Sequence, residues 1–102
     1  MSAPDAGRVL NPDLLAADLG PEHTLALARL GGCDVGVWEM APGTVEDTEV
    51  DEVCVILAGR GTVRFEDGEV VELVPGLALR LRAGERTTWT VAETLRKVYV
   101  SR

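Results

Sequence analysis

Two short stretches decide the fold: Asp51-Glu52-Val53-Cys54-Val55-Ile56-Leu57-Ala58-Gly59 and Gly76-Leu77-Ala78-Leu79-Arg80-Leu81-Arg82-Ala83-Gly84. In the first, a nearly continuous apolar run over residues 53–57 is bent by Gly59-Arg60-Gly61 and returns over residues 62–65, as strands joined at a tight corner do. In the second, Leu77, Leu79 and Leu81 alternate with Ala78, Arg80 and Arg82, the period of two expected of a strand with one buried face. The spacing of the polar markers is equally definite. Glu52 is followed after six residues by Gly59, and Gly76 after five by Arg82-Ala83-Gly84, with Trp89 beyond.

Working outward, the same period recurs. Leu25 and Leu27, then Val35 and Val37, lie at alternate positions on either side of Gly31-Gly32. Glu66-Asp67-Gly68 makes a hairpin turn into residues 69–73, and further strands are expected over residues 86–91 and 96–100. Asn11-Pro12-Asp13 reads differently: a capping residue precedes proline at a first helical position, and Gly20-Pro21 closes the run of residues 14–19, which predicts one short helix. Residues 1–8 read as a mobile tail. The expected organisation is a tail and short helix over residues 1–23, then an antiparallel β-barrel or sandwich of some eight strands over residues 24–102.

The bulk composition narrows the function. A chain of 102 residues with 46% hydrophobic residues suits one domain with one core. Its 17 acids against 10 bases give a net charge of −7, which repels phosphate backbones and argues against nucleic acid as a partner. The charge is uneven. Residues 1–51 carry ten acids and two bases (net −8) and residues 52–102 seven acids and eight bases (net +1), so the halves neutralise one another or the second presents a basic side to an anion. No stretch approaches the ~18 apolar residues of a membrane helix, and no basic region precedes an apolar run at the N-terminus, so a soluble cytoplasmic protein is expected. In that reducing setting Cys33 and Cys54 read as thiols and not as a disulfide, and their spacing matches no zinc or redox motif.

Four segments in order now carry a resemblance: Gly36-Val37-Trp38-Glu39, residues 51–59, Ala83-Gly84 with Trp89, and Arg96-Lys97-Val98-Tyr99. Together they resemble the small single-domain cupins related to the cupin domain of ureidoglycine aminohydrolase, over about residues 33–100. The resemblance implies a cupin-type antiparallel barrel, jelly-roll-like, and an activity on a ureide or another nitrogen-containing acid. It also implies a metal held by two histidines before the first-motif glutamate and one after the second-motif glycine. Here those positions fall near Glu46 and Thr48, and at Thr87; of the ligand set only Glu52 is present. The single histidine, His23, lies far from both motifs and reads as a solvated loop residue. Glu46, Asp47, Glu49, Asp51 and Glu52 could offer oxygen ligands to a hard cation, but alternation sends Asp51 and Glu52 to opposite faces, so the run reads as a solvated loop entering a strand and no metal or other cofactor is assigned.

What remains is a pocket. Alternation from Glu52 turns Glu52, Cys54 and Ile56 into the lumen, and alternation from Thr87 does the same for Thr87, Trp89 and Val91. Apolar walls with few polar groups are characteristic of small-molecule sites. Glu52 and Tyr99 are the candidates for acid and base chemistry, and Trp38, Glu52, Cys54, Arg80, Thr87, Trp89 and Lys97 for ligand binding. Arg80 or Lys97 is available to pair with Glu52, while Arg96 and Lys97 point to opposite faces, so one of them is an inward cation. The expected function is binding of a small polar or anionic metabolite without a histidine-bound metal, the alternative being an enzyme acting on a ureide-like or amino-acid-derived substrate. A homodimer covering exposed sheet edges is expected in either case.

Overall fold

The computed structural model describes residues 7–102, and within them every regular element is a β-strand. They are β1 (Thr24–Leu30), β2 (Cys33–Met40), β3 (Gly43–Thr48), β4 (Glu52–Phe65), β5 (Val70–Leu73), β6 (Ala78–Leu81) and β7 (Arg86–Ser101). All pairings are antiparallel. The two long strands organise the rest: β4 pairs with β7 from Glu52 opposite Ser101 to Phe65 opposite Thr87. One half of the sheet runs β1-β2-β7-β4-β6 and the other β3-β7-β4-β5, so that β4 and β7 belong to both.

The two halves share one core. Ile56, Leu81 and Leu95 from the first pack with Val63, Phe65, Leu73, Trp89 and Val91 from the second, which requires the sheet to fold back on itself. The corner is the glycine pair read from the sequence. The register of β4 against β7 shifts between Ile56 and Gly61. Gly59 adopts φ 96°, and a Cβ there would stand 2.2 Å from the Thr94 carbonyl oxygen; one at Gly61 would stand 2.4 Å from that of Thr90. Only glycine lets the two backbones approach this closely at the bend.

Two expectations need correction. Seven strands form, not eight, and the acidic run that reads as a solvated loop from Glu46 onward begins instead in a strand, since residues 43–48 make β3, exposed on β7. The expected helix over residues 14–19 is absent; residues 14–16 make a turn and residues 17–19 are irregular. The side chains of Asn11, Asp13 and Asp18 accept hydrogen bonds from the backbone N–H groups of Asp13, Leu15 and Gly20, the local competition that diverts a backbone from helix. Arg96, on the outer face of β7, donates to the carbonyls of Leu14, Leu15 and Ala17, which a helix would have turned toward its own N–H groups. The same guanidinium meets Glu39 at 2.7 Å, and that hydrogen bond holds the Glu39 carboxyl below its usual range. Segment 14–17 is thereby tied to the outside of the sheet. Residues 1–6 of the expected tail lie outside the described residues.

Candidate functional site

Between the two halves of the sheet lies a polar cluster that the core surrounds. Along β7, Thr87, Trp89, Lys97 and Tyr99 share the inner face; Glu52, Cys54 and Ile56 share it on β4, and Trp38 on β2 lies directly across from Lys97. The Lys97 ammonium nitrogen stands 2.6 Å from Glu52 Oε2, with both side chains less than a tenth exposed. It also lies 5.0 Å from the centre of the Trp38 ring and 4.8 Å from that of Trp89, within the range of cation–π attraction. The indoles meet edge to face, 5.8 Å apart at an interplanar angle of 61°. The ammonium is therefore enclosed by one carboxylate and two aromatic faces.

A second carboxylate completes the cluster. Glu49 is buried, and its Oε2 accepts hydrogen bonds from Thr87 Oγ1 at 2.6 Å and from Trp89 Nε1 at 3.0 Å. Its backbone is tied to the β6–β7 turn, the Glu49 N–H donating to the Glu85 carbonyl and the Gly84 N–H to that of Glu49. The indole of Trp89 thus has Lys97 over its ring and Glu49 on its N–H. Cys54 lies against the same groups. Burial pushes its thiol up to about 11; Lys97 pulls the other way, and the carboxylates of Glu52 and Glu49 add to the rise. It is a neutral thiol near pH 7 and not a nucleophile.

The structure brings together six of the expected site residues: Trp38, Glu52, Cys54, Thr87, Trp89 and Lys97. Lys97 is the inward cation, while Arg96 faces out. Tyr99 shares the inner face one step along β7, opposite Cys54 and Gly36, and lines a groove of about 480 Å³ with Ser101. Gly36 makes room for it, since a Cβ there would fall 2.6 Å from the Tyr99 hydroxyl. Arg80 is held apart. Its side chain is on the outer face, donating to the carbonyls of Glu52 and Leu81 and meeting Asp51 at 3.2 Å. Glu49 belongs to the acidic run that reads from sequence as a solvated loop, and the structure buries it instead.

The superfamily's metal-ligand positions do not fit a metal here. Glu46 and Thr48 are exposed on β3, Thr87 is bonded to Glu49, and Glu52 is taken by Lys97. Among the described residues no three histidine, cysteine or carboxylate side chains gather as a ligand set. Beside the first-motif glutamate this chain places its own ammonium, that of Lys97.

The family model of the EutQ-like cupin domain matches residues 27–99. The chain belongs to that family. No functionally curated protein matches it. Among solved structures, a protein of unknown function from Rhizobium leguminosarum bv. viciae 3841 is similar over 87% of this chain and 91% of its own, at 29% identity and a TM-score of 0.74. A DUF861-family protein from Thermotoga maritima is 30% identical over 65% of this chain and 76% of its own, with a TM-score of 0.61. The EutQ protein of Clostridium difficile shares the fold at 23% identity and a TM-score of 0.66; the match covers 76% of this EutQ-like cupin and 64% of EutQ.

Proposed function

We propose that this EutQ-like cupin binds a small polar metabolite in its interior, at the Glu52–Lys97 pair between the two indoles. The observation that carries the reading is the 2.6 Å contact itself. A buried ion pair adds little net stability relative to an apolar pair of the same volume. A carboxylate acceptor set beside an ammonium donor is, however, complementary to a group that offers a donor beside an acceptor, such as an amide or ureide, and its ammonium can also meet a carboxylate. The apolar walls of Trp38, Ile56 and Trp89 supply the rest of a small-ligand site. The groove at Tyr99 and Ser101 adjoins this pair along the same strands, since Tyr99 is opposite Cys54 and Ser101 opposite Glu52.

Melting temperatures in a panel of matched amides, ureides and carboxylates test this, because a ligand that binds only the folded state raises Tm. At least one class should raise Tm of the wild type and leave unchanged a Lys97→Met/Glu52→Gln variant. A panel without effect, or an equal rise in both proteins, contradicts the reading.

A further inference from the structure

We propose that Trp38, Trp89 and Glu52 form a binding site for a primary ammonium group, and that Lys97 is its tethered occupant. The inference stands on the geometry of the cluster and not on the metabolite reading. Each wall comes from a different place in the fold: Trp38 from β2, Glu52 from β4, and Trp89 from the half of β7 that belongs to the opposite part of the sheet. The two indoles and the main chain of Glu52 are held by contacts that do not involve Lys97. Trp89 is held through its N–H by Glu49, Trp38 packs edge to face on Trp89, and the main chain of Glu52 is paired in the sheet. The ammonium enters this frame on a flexible aliphatic stem. It gives one N–H to Glu52, and its charge faces two indole rings, a surrounding that favours a compact cation.

The walls also define what is refused. One carboxylate and two π faces suit a singly charged ammonium ion, whereas a divalent metal requires several oxygen or nitrogen ligands converging on it. With Lys97 removed, an anion would meet only the carboxylate and the negative ring faces, with no cation to offset them. Replacing Lys97 by alanine removes the stem beyond Cβ together with the amine, and n-propylammonium has the atoms that are lost.

The test is thermal unfolding of Lys97→Ala in n-propylammonium chloride, compared at equal ionic strength with sodium chloride, sodium propionate and magnesium chloride, and with 1-propanol. Propylammonium should raise Tm of Lys97→Ala on the order of 6 °C once it exceeds its dissociation constant tenfold. The other additives should not, and neither wild type, in which Lys97 itself takes the ammonium position, nor Lys97→Ala/Glu52→Gln should respond to propylammonium. If Lys97→Ala does not fold by itself, propylammonium should restore its near-ultraviolet circular dichroism, and failure to do so counts against the proposal. Lys97→Met, which refills the space with an apolar chain, should be indifferent. Rescue by propanol or magnesium as large as that by propylammonium, or an equal response of Lys97→Met, overturns it.

Discussion

Lys97 and Glu52 form an ion pair of 2.6 Å inside the sheet, and their strands put it there: Lys97 lies across from Ile56 and Glu52 across from Ser101, two steps apart on each strand and on one face. Removing one partner leaves the other charge buried and uncompensated, whereas removing both leaves an apolar gap that side chains of similar size can fill. Lys97→Met should therefore destabilise the protein by roughly 3–5 kcal/mol, and Lys97→Met/Glu52→Leu by much less. Urea denaturation of the two variants measures the difference; equal losses would mean that the pair is not desolvated as described.

The glycine corner makes a second prediction. With φ 96° and 2.2 Å from the Thr94 oxygen to the position of an added Cβ, Gly59 cannot become alanine without moving β4 away from β7. Gly59→Ala should lose at least ~1–3 kcal/mol, the range for backbone strain of this kind. Gly68→Ala, where φ is 97° but no atom lies within 4 Å, should lose less. Chemical denaturation of both separates close approach from conformational strain.

The Glu39–Arg96 contact beside the N-terminal segment should make stability depend on pH. The Arg96 hydrogen bond depresses the Glu39 carboxyl in the folded state. A depressed carboxylate contributes stability that is present above its unfolded value, about 4.3, and is lost as pH falls through the lower folded value. The stability difference between wild type and Glu39→Gln should be present at neutral pH and shrink as the pH is lowered below about 4. In the same vein, Arg96→Met should speed amide hydrogen exchange in residues 14–19 while leaving β4 protected.

The two cysteines should behave differently. Cys54 is buried with its thiol raised to about 11, and Cys33 is partly exposed. Ellman's reagent at pH 8 should titrate one thiol in the native protein and two in denaturant; rapid reaction of both in the native state would contradict the burial.

These features were unequally legible in the sequence. Alternation with a period of two was enough to turn Glu52, Cys54, Ile56, Thr87, Trp89 and Val91 inward, because a strand leaves no other choice once one inward residue is known. It also reduced the inward cation to Arg96 or Lys97 without choosing between them. Glu49 was not recoverable, since it follows the end of β3 in a run where five of seven residues are acidic, and its burial depends on donors at Thr87 and Trp89, about forty residues away. The N-terminal segment shows the same limit from the other side. Its capping and stop signals are genuine local preferences, and they yield to Arg96, which takes the backbone carbonyls from across the chain.

The central claim, a small polar guest at Lys97 and Glu52, is tested most directly by nuclear magnetic resonance on uniformly ¹⁵N-labelled protein. Trp38 and Trp89 supply the chain's two indole N–H signals, and each ring lies about 5 Å from the Lys97 ammonium. A guest that raises Tm should shift both indole signals saturably, and the shifts should vanish in Lys97→Met/Glu52→Gln. Shifts confined to surface amides, or indole shifts that survive in that variant, would place binding elsewhere and contradict the account.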